Sequence, residues 1–187
     1  LIERLQHNMK RITQNAGDGM DVVVGSMTNQ AELDRTQAHL DDAVKKGAKI
    51  IVGGNPRPDL GALFFEPTIL VDVDHSMDIM RIETFGPVMP IMKVKDSNEA
   101  IRLANDTDFG LSASIFSSNL KRAQDIALQI DTGDVSVNRA QYAIGTPSIP
   151  SGGQRESGMG RRNGAEGILK YTASQSIVLD NLIGAEK

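Results

Sequence analysis

The sequence predicts an α/β fold, an open twisted sheet with flanking helices. Segments of helical period alternate with short apolar runs of strand length, and Gly, Pro and Asn clusters fall between them. The chain is 187 residues long with 40% hydrophobic residues, enough to bury a substantial core. Only 4% of residues are aromatic, so that core is expected to be aliphatic and methionine-rich.

The elements follow in order. Leu1, Leu5, Met9 and Ile12 form one helical stripe, expected to end near Gly17. A second helix is expected from about Asn29 to Lys46, turning Leu33, Leu40 and Val44 inward and stopping at Gly47. Lys49 to Val52 reads as a strand, followed by a turn at Gly53-Gly54-Asn55-Pro56. Phe64-Phe65 and Pro67 to Val71 add strand, and Val88 to Val94 reads as another, with Pro90 marking an edge or a bulge. Asp96 and Glu99 have the spacing of a capping box for a helix to about Asn105. Ser112 to Phe116 alternates as a strand, a helix spans Leu120 to Ile130, and Gly133 leads into a strand at Val135 to Val137. From Arg139 to Gly164 periodicity is lost in a stretch rich in Gly, Pro and Ser, a length that in a compact domain is usually functional or disordered. Gln175 to Asp180 reads as a final strand.

Composition excludes several function classes. The net charge is -4 with both signs interspersed, which leaves no basic stripe for nucleic acid. No apolar run approaches the length of a membrane span. Without cysteine there is no disulfide framework, and the default compartment is the cytoplasm. Asp72, Asp74, His75 and Asp78 match no calcium-loop or zinc spacing and read as a solvated link, so no metal site is expected. His7, His39 and His75 form no His-Glu-x-x-His pair, and no Gly-x-Ser-x-Gly elbow occurs. Arg155, Arg161 and Arg162 form a small basic cluster that suits surface ion pairing better than anion capture.

The most informative local feature is Glu83-Thr84-Phe85-Gly86-Pro87. Pro87 fixes its own φ and moves Gly86 out of the helical region, so a carboxylate and an aromatic ring are held at a defined bend ahead of a strand. Such a pair is either a ligand anchor or simply a surface glutamate beside a core phenylalanine.

Glu83-Thr84-Phe85-Gly86-Pro87 is similar to the Glu-x-Phe-Gly-Pro motif of the aldehyde dehydrogenases. The resemblance continues in order. Asn105 to Leu111 resembles that family's Asn-x-x-x-aromatic-Gly-Leu stretch, and Gly133 to Asn138 its Gly-x-Val-x-x-Asn strand. Pro150-Ser151-Gly152-Gly153 and Ser157-Gly158-Met159-Gly160 resemble its Pro-Phe-Gly-Gly and Ser-Gly-x-Gly run, with Ser151 in place of the usual Phe or Met. Gly158 to Gly167 looks most like the bacterial succinate-semialdehyde dehydrogenases.

The resemblance implies an aldehyde dehydrogenase catalytic-domain-like fold with a C-terminal oligomerisation strand. Residues 1–165 would be the C-terminal part of the catalytic domain, and 166–187 the oligomerisation strand and tail of a homo-oligomer, dimer or tetramer. The reaction implied is NAD- or NADP-dependent oxidation of a small-molecule aldehyde to a carboxylic acid, with succinate semialdehyde a candidate. Glu83 would accept hydrogen bonds from the ribose next to nicotinamide, and Phe85 would pack on the nicotinamide ring. Arg35 falls where the family often has a basic residue near the adenosine ribose, although Glu32 stands where a glutamine is frequent. Asn138, Arg139, Tyr142 and Ser148 are expected on the loop bordering the aldehyde entrance. No catalytic residue is expected here, because the family's nucleophilic cysteine and general-base glutamate lie well before the Glu-x-Phe-Gly-Pro motif. The chain is therefore expected to be a fragment of a longer enzyme, inactive alone. The alternative is a non-catalytic interaction or oligomerisation module that retains the scaffold.

Overall fold

A computed structural model describes residues 1–17, 19–140 and 143–179. The chain forms two compact units, Leu1–Ala100 and Ile101–Lys187.

In the first unit, α1 (Ile2–Met9) is followed by α2 (Gln30–Lys45), β1 (Lys49–Val52), β2 (Thr68–Val71), a 3₁₀ turn (Asp78–Met80) and β3 (Val88–Ile91). Asn29 caps α2, its side chain accepting from the Glu32 amide at 3.0 Å. The buried face of α2 is Leu33, Thr36, His39, Leu40 and Ala43. Val44, expected inward, is 47% exposed, because the helical period centres the stripe on Leu40 and Ala43. The sheet order is β1-β2-β3, with β1 antiparallel and β3 parallel to β2. Central β2 is buried from Thr68 to Leu70, which suits its continuous apolar run. Pro90 pairs opposite Leu70 on edge strand β3, where its missing N–H interrupts no ladder. Met27, Leu33, Leu40, Phe65, Leu70, Val73 and Met77 are among the core residues, largely aliphatic and methionine as expected.

Two local expectations fail in this unit, the first at β3, which ends at Ile91 rather than Val94. Helix α1 stops at Met9 rather than near Gly17 and buries no residue. Beyond it the backbone turns to tertiary partners: Gln14 bridges to Val24, and its side-chain amide donates to the Phe65 carbonyl at 2.7 Å.

Helix α3 (Ser97–Asn105) opens on the capping pair. The Glu99 amide donates to Asp96 at 2.8 Å, and the Glu99 carboxylate accepts from the Lys95 amide at 2.7 Å. The second unit continues with β4 (Phe109–Gly110), β5 (Ser112–Ile115), α4 (Leu120–Ala127), β6 (Asp134–Val137), a 3₁₀ turn (Ala143–Gly145), β7 (Gln154–Arg155) and α5 (Gly164–Leu169). Strands β5 and β6 are parallel with α4 as their crossover, and β4 pairs antiparallel with β7. The α/β class stands, with its strands divided among one three-stranded and two two-stranded ladders in the described residues. Helix α4 ends at Ala127, short of Ile130, because the following backbone bonds elsewhere: Asn105 donates to the Gln129 carbonyl at 2.8 Å and accepts from the Asp131 amide at 2.9 Å. Residues 175–179, expected as strand, form no ladder here, and Asp180 lies outside the described residues. A strand needs a neighbour for its amides and carbonyls, and these described residues have none.

Gly133 sits where three loops converge. Its amide donates to the Gly110 carbonyl at 3.0 Å, and a Cβ there would collide with the Gly152 carbonyl oxygen and lie 3.0 Å from the Leu111 oxygen. Gly133→Ala should therefore cost about 1–3 kcal/mol of stability. Gly145→Ala, whose Cβ meets nothing within 4 Å, should be near neutral. Thermal unfolding of both variants checks the contrast, and equal midpoints would contradict it.

Candidate functional site

The segment Glu83 to Pro87 lies directly on α2. A Cβ at Gly86 would collide with Thr36 Oγ1 and lie 2.8 Å from Thr36 Cγ2, so only glycine lets the backbone approach this closely. Thr36 is fully buried, and its hydroxyl donates to the Glu32 carbonyl one turn back at 2.7 Å. One helical step further along the same face, His39 Nδ1 lies 2.6 Å from Thr84 Oγ1, a hydrogen bond possible in either direction. Downstream, the Pro87 carbonyl accepts from the Thr68 amide at 2.8 Å, tying the bend to β2. Thr84 is thus held inward, while Glu83 is exposed and Phe85 is 63% exposed. Glu83 and Phe85 flank an anchored residue at an open surface, so Phe85 is not part of the core.

Arg35 is on the same helix and solvent-facing, its Nε 3.7 Å from Glu32 Oε2. That carboxylate oxygen is buried and accepts no hydrogen bond. Sequence reasoning missed His39 and Thr36. Their only signal was polarity at core positions of a helical stripe.

Burial holds the His39 imidazole below its ordinary pKa. Asp78 opposes this, Arg35 reinforces it, and Asp42 and Glu32 oppose it more weakly. Asp42 is held below the usual carboxylate range by hydrogen bonds from Lys46 Nζ and the Asp78 amide, each at 2.9 Å.

In the second unit a cavity of about 240 Å³ is lined by Asp134, Ser136, Arg139, Ala143 and Ile149 with neighbouring β6 residues. Arg139 lies on this lining. Asn138 is at φ +55 and spends its amide on Ser117, accepting from its N–H and donating to its carbonyl, both at 2.9 Å, so it braces the end of β5 and β6. Ser148 is exposed and is not part of the lining, and Tyr142 lies outside the described residues. Ser151, by contrast, is buried and donates to Asp134 at 3.1 Å. Two arginines of the basic cluster bond to backbone, and Arg155 also pairs with the Asp131 carboxylate at 3.7 Å, the ion pairing expected. Arg155 donates to the carbonyls of Asn105, Thr107 and Asp131, and Arg161 to those of Gly153 and Gly160.

A family model described as the aldehyde dehydrogenase family matches residues 1–177. The chain belongs to the aldehyde dehydrogenase family. It is 47% identical over 157 residues to a Mycobacterium ulcerans strain Agy99 protein that carries the provisional name succinate-semialdehyde dehydrogenase (NADP+) 2, covering 83% of this chain and 30% of that protein. Lactaldehyde dehydrogenase from Escherichia coli superposes with a TM-score of 0.88 at 32% identity, over 95% of this chain and 37% of that one. Betaine aldehyde dehydrogenase from Staphylococcus aureus, solved in complex with NAD+, gives 0.82 at 33% identity, over 98% and 38%. The chain thus spans roughly a third of the length of these relatives.

In this aldehyde dehydrogenase chain the buried imidazole sets a pH dependence. The folded-state pKa of His39 is below its unfolded value, so the unfolded chain binds the extra proton as pH falls through the ordinary histidine range, and stability declines below about pH 6.5. Denaturant midpoints should fall between about pH 7.5 and 5.5, above the carboxylate range, and His39→Gln should flatten that slope. An unchanged slope in the variant would assign the effect elsewhere.

Proposed function

We propose that this chain is the part of an NAD(P)-dependent aldehyde dehydrogenase that holds the nicotinamide end of the cofactor and borders the aldehyde entrance. The observation that carries the reading is the exposure of Glu83 and Phe85 on either side of anchored Thr84. Glu83 forms no hydrogen bond or ion pair among the described residues, so both carboxylate oxygens are available to two ribose hydroxyls. Phe85 offers an open aromatic face for a planar ring. These residues fit a dinucleotide, which when bound supplies hydride acceptance from the aldehyde carbon. Arg35 offers a charge on the same helix toward the nucleotide, with Glu32 beside it tempering that attraction.

The 187 residues contain no thiol, so the nucleophile and its base belong to a part of the enzyme outside them, and this chain contributes positioning. Arg139 on the cavity lining favours an aldehyde bearing a carboxylate, which agrees with the name of the mycobacterial relative. Succinate semialdehyde is the substrate we favour. Asn138 shapes the loop's start, and exposed Ser148 lies further along the same loop. Ile177, Val178 and Leu179 are 74%, 88% and 87% exposed, and we assign 166–187 to subunit assembly, the strand at 175–180 forming against a neighbouring subunit. Cytoplasmic location follows from the same reading.

Glu83→Gln weakens charge-assisted hydrogen bonds worth about 1.5–3 kcal/mol, so kcat/KM for the dinucleotide should drop by roughly 10–100-fold in the full-length enzyme. Phe85→Ala should act in the same direction, with the aldehyde KM little changed. Purified residues 1–187 should form no aldehyde-dependent NAD(P)H. Turnover by that chain, or wild-type kinetics in both variants, would sink the reading and favour a scaffold-only module.

A further inference from the structure

The bend that carries Glu83 and Phe85 has no regular structure of its own, so its direction must be imposed. At its start, the Ile82 amide bonds to the Asp78 carbonyl at 2.8 Å, and at its end Pro87 is tied to Thr68. Between them the backbone touches α2 at Gly86 and the side chain of Thr84 reaches His39. In an extended stretch, neighbours of an inward residue face outward. The rotation of Thr84 therefore decides where Glu83 and Phe85 point.

We propose that His39 and Thr84 form a positioning pair which, without touching the nucleotide, fixes Glu83 and Phe85 for its nicotinamide ribose and ring. The inference rests on the functional reading above and extends it to a second layer of residues. His39 is 6% exposed and sits on a helix capped by Asn29 and packed through Leu40 and Ala43, a rigid base for the contact. The charged groups that act on the imidazole are Asp78 from the 3₁₀ turn and Arg35, Asp42 and Glu32 from α2. An apolar residue would fill the same space and leave the bend free to rotate.

The test is steady-state kinetics of the enzyme expressed from its complete reading frame. Thr84→Val keeps the volume and removes the hydroxyl, and His39→Leu removes the ring nitrogen. Each should raise the dinucleotide KM by roughly three- to tenfold, the range of one hydrogen bond, with the aldehyde KM unchanged. The double variant should be no worse than either single, and Thr84→Ser should restore wild-type KM. If His39→Leu fails to fold, Thr84→Val against Thr84→Ser decides alone. Glu83→Gln is measured alongside. Should it raise the dinucleotide KM while Thr84→Val leaves that KM within about twofold of wild type, this inference is overturned and the functional reading survives. Should Glu83→Gln also have no effect, both fall together.

Discussion

The contact between α2 and the Glu83 to Pro87 bend is the constraint on which the rest of the first unit's chemistry depends. Helix α2 places a threonine and a histidine on a face otherwise made of Leu33, Leu40 and Ala43. Burying polar groups there is unfavourable unless each is hydrogen-bonded. Thr36 satisfies itself within the helix, and Gly86 approaches both its hydroxyl and its methyl closely. His39 has no such internal solution and is met by Thr84. The bend is therefore selected twice, once by shape at Gly86 and once by polarity at Thr84. Apolar packing alone would supply the first without the second.

Much of this scaffold was legible in the sequence because the signals are local. The ends of α2 follow from Asn29 and Gly47, β1 from the run Lys49 to Val52, and the start of α3 from Asp96 and Glu99, and all appear where local chemistry puts them. The bend at Pro87 and the exposure of Glu83 beside it were equally readable. What was not legible depends on distant partners. Helix α1 ends early because Gln14 bonds to Phe65, 51 positions away. Residues 175–179 form no strand, and no neighbouring strand pairs with them among the described residues. His39 looked like an unremarkable histidine, since a contact spanning 45 positions leaves no trace in spacing. In the loop after β6, Arg139 lines the cavity. Asn138 turned out to be a brace, and Ser151, noted only as a departure from pattern, proved to be buried against Asp134.

The motifs that identify the family divide by one physical criterion. Asn105 closes the backbone after α4, Gly133 fits between Gly110 and Gly152, and Asn138 binds both backbone groups of Ser117. These residues are satisfied within the chain, and their work is complete once it has folded. Glu83 and Phe85 are the opposite case: a carboxylate and a ring held outward by a neighbour whose own needs are met inside. Keeping a phenylalanine 63% exposed forgoes the stabilisation its burial would give, typically about 1.5–3 kcal/mol. Under the functional reading proposed above, a planar ligand seated on the ring supplies from outside the contact that this chain withholds, and the close approach of Gly86 to Thr36 on α2 holds the bend beneath it.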